Sequence, residues 1–264
     1  MDKKFAQLDH IRLAYKEQGQ GPAVVLLHGF CGSSAYWDKL LPLLPDGCRF
    51  IAPDLRGHGD SEAPEGTYTM ETIADDIAQF IGKLGLGQAI VLGHSLGGYA
   101  TLALAERHPN VLSGFGLIHS TAYPDSEEGK QGRLQGMETI KGQGLPAFID
   151  GLIPKLFAPD HLQSMPEAVE EAKRIGNGTS PEGAIRTLEG MRVRPDRNGV
   201  LQGTKLPLLL VAGENDRIIP VERTMAVSGE RVTQQVIRGS GHMSMVEAPQ
   251  ELAEAIAAFA AAVR

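Results

Sequence analysis

Three side chains far apart in the chain could together carry out acyl transfer: Ser95, Asp216 and His242. A serine hydroxyl is a weak nucleophile until a neutral imidazole takes its proton, and that imidazole needs a carboxylate to hold it in one tautomer. Ser95 lies in Gly93-His94-Ser95-Leu96-Gly97, after the apolar run Ala89 to Leu92 and before the helical spacing of Leu102 and Ala105. A strand-to-helix turn this tight strains the serine backbone, exposes its hydroxyl, and needs glycines on either side. The alternative, a glycine-rich loop that merely caps a helix, gives no reason for a strained serine at its centre.

His242 follows the apolar stretch ending at Ile237, inside Gly239-Ser240-Gly241, and Asp216 follows the one ending at Val211, inside Gly213-Glu214-Asn215. Both positions fall at carboxyl ends of strands, where open α/β sheets gather their sites. Glu214 is the alternative acid, two residues nearer its strand and with a longer side chain. His94 should point away from the hydroxyl and pack. His28, Gly29 and His119 also end strands and are candidate substrate contacts, against the plainer reading of hydrogen-bonded structural groups. No metal site is expected, because His28, His58 and His119 lack ligands at characteristic spacing. Attack by Ser95 creates an oxyanion that needs two preorganised N–H donors. The backbone of Leu96, at a helix N-terminus, supplies one, and that of Phe30, after the run Ala23 to Leu27, the other. Asp54, Arg56, His58 and Asp60 read as structural, pairing with one another and satisfying backbone groups.

Placing these residues at one edge requires strands that alternate with helices. Phe5 to Leu8 and Ile11 to Tyr15 read as an edge hairpin; Ala23 to Leu27, Arg49 to Ala52, Val111 to Ile118 and Leu206 to Val211 read as buried strands, with Val232 to Ile237 a further one. Helices are expected over Ala35 to Leu44, Met70 to Leu84, the stretch up to Arg107, and Pro249 to Val263. From Tyr123 to about Gly203 strand patterns cease and helix starts recur, as at Ser126, Leu145-Pro146, Met165-Pro166 and Ser180-Pro181. The expectation is an α/β fold: a mostly parallel central sheet of about eight strands, helices on both faces and an inserted α-helical cap. The core would comprise residues 1–122 and 204–264 and the cap residues 123–203. Met137, Ile140, Phe148, Leu152, Leu156 and Phe157 are its apolar positions, and some should roof the pocket, with Phe148 and Phe157 as candidate substrate contacts.

With 25 basic against 32 acidic side chains the net charge is −7, which disfavours nucleic acid and anionic membrane surfaces as partners. Met1 to Phe5 has no apolar segment behind it and no eighteen-residue apolar run occurs, so the expected compartment is the cytoplasm. Cys31 and Cys48 suggest neither a disulfide framework nor a zinc site. A small-molecule ester substrate, no cofactor, and a monomer or homodimer are expected.

The motifs LLHGF at Leu26 to Phe30, DLRGHGDS at Asp54 to Ser61, GHSLGG at Gly93 to Gly98, GENDRIIP at Gly213 to Pro220 and GSGHMSMVEAP at Gly239 to Pro249 resemble the α/β-hydrolase fold superfamily. The likeness covers nearly the whole chain outside the cap, and the order Ser95, Asp216, His242 is the one that superfamily uses. It implies an acyl-enzyme mechanism with Ser95 as nucleophile, His242 as base and then acid, and Asp216 orienting it. Haloalkane dehalogenases and epoxide hydrolases place aspartate where Ser95 stands, which disfavours both. The reading is a carboxylesterase for small to medium acyl chains. Its alternatives are a carbon–carbon bond hydrolase, a lactonase, a perhydrolase, or a weakly catalytic ligand receptor.

Overall fold

The computed structural model describes residues 2–263, so the outer limits of the expected core, 1 and 264, lie outside the described residues. Eight strands form one sheet: β1 Lys4–Gln7, β2 Arg12–Gln18, β3 Ala23–Leu27, β4 Arg49–Pro53, β5 Ala89–His94, β6 Leu112–Ile118, β7 Leu208–Gly213 and β8 Val232–Ile237. Their spatial order is β1-β2-β4-β3-β5-β6-β7-β8. Only the pairs β1–β2 and β2–β4 are antiparallel. The remaining pairs are parallel, with Val25 opposite Val91 and Ile118 opposite Val211. The unbroken apolar runs follow from this arrangement, since β3, β5 and β7 are buried along their whole length. At the sheet edge, β8 buries only Ile237 fully.

The helices are α1 Met70–Lys83, α2 Leu96–Arg107, α3 Glu127–Gln143, α4 Leu145–Leu156, α5 His161–Ser164, α6 Pro166–Gly176, α7 Pro181–Arg192, α8 Asn198–Gly203, α9 Val221–Thr224, α10 Ser244–Glu247 and α11 Pro249–Ala262. Thr69 caps α1 by accepting the Thr72 N–H, and the helix buries Met70, Ile73, Ile77, Phe80 and Ile81 on one side. It packs against α2, while α11 packs against β8 and the turn at Leu41–Leu43. None of the described helices is long and apolar enough to cross a membrane.

The expected helix over Ala35 to Leu44 is absent. Two short 3₁₀ turns, Ser34–Trp37 and Leu41–Leu43, stand there instead. Ser33 caps the first by accepting the Ala35 N–H, and Pro42, which lacks an N–H, prevents the two from merging into one α-helix. The spacing of Trp37, Leu40, Leu41 and Leu44 still buries all four.

The loop from Asp54 to Ser61 is a polar scaffold. Buried Asp54 accepts the N–H groups of Ser34 (2.6 Å) and Asp60 (2.9 Å), and Arg56 grips Asp76 of α1 through two bonds of 2.6 and 2.7 Å. Both partners of that ion pair are buried, with 4% and 2% of their side chains exposed. Asp76→Ala would strand the Arg56 guanidinium without its counter-charge, so a loss of about 3–5 kcal/mol is expected in urea unfolding.

Between β6 and β7 the chain forms α3 to α8, tied to the sheet's carboxyl edge by backbone hydrogen bonds. The Ser180 N–H donates to Gly57 O (3.1 Å), the Arg197 N–H to Ala122 O (2.9 Å), and the His242 N–H to Leu156 O (2.7 Å). Arg197 also reaches Glu71 and Glu106.

Candidate active site

Ser95 joins β5 to α2 with φ +50° and ψ −113°, a conformation that costs a non-glycine residue about 1–3 kcal/mol. Four hydrogen bonds hold it there. Its N–H donates to Ile118 O (3.0 Å), and its carbonyl accepts from Gly98 N–H (2.9 Å), Tyr99 N–H (3.2 Å) and the Ser120 hydroxyl (2.7 Å). A Cβ at Gly97 would lie 2.5 Å from the Leu27 carbonyl oxygen, so only glycine lets α2 start this close to β3. The Ser95 hydroxyl makes no hydrogen bond to protein among the described residues, and it faces a cavity that His242 also lines. Proton-transfer contacts of this kind are commonly long before substrate binds.

His242 is 2% exposed, and its Nδ1 lies 2.7 Å from Asp216 Oδ2. The second oxygen of Asp216 accepts the N–H groups of Ile218 (2.8 Å) and Ile219 (3.0 Å). Burial alone would push this carboxyl up. The adjoining imidazoles, that of His242 foremost, outweigh it and hold the group far below the usual carboxylate range. Glu214, the other acid weighed, turns outward and accepts the Gly239 N–H at 2.9 Å.

Two backbone donors flank the serine. Leu96 opens α2, so its N–H has no acceptor one turn back. Phe30 N–H has no protein acceptor among the described residues, and the Phe30 ring lines the cavity. The Gly29 segment lies against the serine, since a Cβ on Gly29 would be 3.3 Å from that of Ser95 and 2.5 Å from His94 Nδ1. Gly29 thus supplies close approach.

Four of the expected substrate contacts, His28, His119, Phe148 and Phe157, are not part of this cavity wall. His28 is fully buried, with Nδ1 2.8 Å from Gly29 O and Nε2 accepting the Leu55 N–H (2.9 Å). His119 is also fully buried, with Nε2 2.7 Å from Ser244 Oγ. The Gly213 N–H donates to its Nδ1 (3.1 Å), and Asp216 Oδ2 lies 3.2 Å from the same nitrogen. A φ of +49° turns this residue back behind the acid. Phe157 is 1% exposed and packs in the core, and Phe148 meets the Phe30 ring edge-on at 5.9 Å. The cavity wall instead comes from Phe30, Tyr99, Leu152, Leu156, Met191 and Ile218, together with Arg133. Of the six apolar cap positions, some of which should roof the pocket, Leu152 and Leu156 line this cavity.

Sequence reasoning missed Arg133 and Glu247. The buried Glu247 carboxylate gathers the N–H groups of Ala158, Gly241 and Met243, and also touches His161, so it fastens the His242 loop to the chain after α4. The signal for Arg133 is its spacing, four and seven residues before the buried Met137 and Ile140. Ligand atoms of His119, Asp216 and His242 converge within 4.8 Å. Their contacts with Asp216 Oδ2 account for that closeness.

Four imidazoles in or near the site, those of His28, His58, His94 and His119, are pushed down by burial, His58 to about 3 with further help from His28. The unfolded chain therefore takes up these protons first. Their contribution is complete above about pH 6.5 and is lost as pH falls toward the folded values, at about 1.4 kcal/mol per pH unit for each histidine. Urea midpoints should accordingly drop between pH 7 and pH 5, before ordinary carboxylates titrate. A constant midpoint across that interval would contradict this.

Residues 24–255 match the sequence model of the alpha/beta hydrolase family. The chain is 28% identical to 2-(acetamidomethylene)succinate hydrolase of Mesorhizobium japonicum, across 96% of this chain and 92% of that protein. It is 26% identical to 3-oxoadipate enol-lactonase 2 of Acinetobacter baylyi, across 94% and 92%. Among solved structures, a thermophilic esterase from Thermogutta terrifontis, determined with malate bound, superposes with a TM-score of 0.93 at 31% identity, covering 100% of this chain and 99% of that one.

Proposed function

This chain belongs to the alpha/beta hydrolase family, and from that premise we propose that it is a serine hydrolase of the carboxylesterase type. The observation that carries the reading is the 2.7 Å pairing of Asp216 with His242 Nδ1, which leaves Nε2 for Ser95 at the wall of one cavity. Ser95 Oγ attacks the ester carbonyl while His242 Nε2 takes its proton, and Asp216 stabilises the imidazolium that forms. The tetrahedral oxyanion lies against the N–H groups of Leu96 and Phe30. Collapse expels the alcohol, which leaves with the proton from His242, and an acyl ester remains on Ser95. Water, deprotonated by the same imidazole, then releases the acid and restores the serine.

In this reading residues 123–203 form a cap on a core of residues 1–122 and 204–264. The His242 N–H bond to Leu156 O and the presence of Leu152 and Leu156 in the cavity wall support that division. Hydrolysis of a cyclic ester uses the same atoms, and the similarity to an enol-lactonase favours it as the second reading. A series of p-nitrophenyl esters of increasing chain length separates these readings. The esterase should show repeated turnover with an optimum among the short and medium chains. Lactone opening with no turnover on the linear series would favour the second reading, and a single slow turnover a receptor-like protein.

A further inference from the structure

The cavity shared by Ser95 and His242 is lined by apolar and aromatic side chains, the histidines and the serine, and Arg133 is the charged side chain among them. That arginine stands on the same side of α3 as buried Met137 and Ile140, where a surface helix would carry an apolar residue. Three-quarters of its side chain is covered, with 25% exposed. Its Nε is held by Asp125 Oδ2 at 3.1 Å, while Nη1 and Nη2 have no protein acceptor among the described residues. Asp125 is itself shared. Its other oxygen pairs with Nη1 of Arg194 at 2.8 Å, and Arg194 is almost fully buried with its guanidinium 4.0 Å above the Tyr99 ring. The further partners of Arg194 are neutral carbonyls, those of Met191 and Tyr123. Burial would push the Asp125 carboxyl up, but the two arginines hold it below its usual range, so it remains a single negative charge against two positive ones. One uncompensated cation thus borders the cavity, with its outer nitrogens unpaired. A guanidinium three-quarters covered has lost much of its hydration, and its flat fork matches a carboxylate.

We infer that Arg133 binds a carboxylate of the substrate, and that the substrate class is an ester or lactone carrying a free carboxylate outside the bond that is cleaved. This deepens the serine-hydrolase reading and rests on it. Asp125 aims the fork through Nε, and Arg194 keeps Asp125 from cancelling the charge of Arg133.

Two matched pairs of esters test the inference, one for each side of the scissile bond. Mono-p-nitrophenyl glutarate is compared with p-nitrophenyl valerate, and 4-acetoxybutanoate with butyl acetate. The native enzyme should favour the anionic member of at least one pair by about 10- to 100-fold in kcat/KM, mostly through KM, the size expected of a charged hydrogen bond. Arg133→Gln should abolish that ratio, and Arg133→Lys should retain part of it. The ratio is independent of how much enzyme is folded. A second measurement does not depend on turnover: calorimetric titration of Ser95→Ala with glutarate, with and without Arg133→Gln. Binding that requires Arg133 upholds the carboxylate site even if no ester is hydrolysed, in which case only the esterase reading falls. Equal use of charged and neutral esters without such binding, or a preference that survives Arg133→Gln, would overturn the inference.

Discussion

Replacing Ser95 by alanine is expected to lower p-nitrophenyl ester turnover by about a millionfold, the loss that follows when the nucleophile is taken from a set of groups acting as a unit. Neither neighbouring serine can substitute. Ser120 Oγ is committed to the Ser95 carbonyl and Ser244 Oγ to His119, and both residues are fully buried. The residual rate should come from the backbone donors at Phe30 and Leu96 acting on bound ester attacked by water. Stability should hardly change, by about 0.5 kcal/mol or less, because the hydroxyl makes no hydrogen bond within the protein among the described residues and the backbone bonds that fix φ +50° remain. Burst and steady-state release of p-nitrophenol, read beside a urea unfolding curve, check both statements. A loss of less than about a hundredfold in a fully folded variant would place the nucleophile elsewhere.

How far the sequence could be read depended on whether a signal was local. Strands buried on both faces are apolar at every position, so Ala23–Leu27 and the run to Val211 stand out without any knowledge of their neighbours. The helix starts at Ser126 and Ser180 are equally local, and both serines do cap, accepting the N–H groups of Gly129 and Gly183. Chain order and strand ends point to Asp216 and His242 as partners, and the fold sets them 2.7 Å apart. The direction of a side chain at a strand end was not local. His119 at a strand end fits either a pocket contact or a hydrogen-bonded structural group, and its φ of +49° and its bond to Ser244, 125 residues away, place it behind Asp216 as the latter. Arg133 and Glu247 act between elements whose mutual placement only the folded chain defines. Pro42 is a local signal that the apolar spacing of Ala35 to Leu44 does not register, and the second 3₁₀ turn carries it in its first positions.

Asp216→Asn is expected to reduce turnover by about ten-thousandfold, and Glu214→Gln by no more than about threefold. The argument is one of hydrogen-bond polarity. Asp216 Oδ1 accepts two backbone N–H groups, from Ile218 and Ile219, so an asparagine there must present its carbonyl oxygen to them. The amide nitrogen then faces His242 Nδ1 and donates to it, which moves the imidazole proton to Nε2. That nitrogen can no longer accept a proton from Ser95. The opposite orientation sets amide hydrogens against two N–H donors and costs stability instead. Glutamine at 214, by contrast, keeps an oxygen for the Gly239 N–H. Since the Asp216 carboxyl is held below its usual range, mild acidification does not imitate the substitution. Turnover of one p-nitrophenyl ester by the two variants, each normalised to active protein, decides the matter: comparable losses, or the larger one at Glu214, would overturn the assignment of Asp216 as the orienting acid.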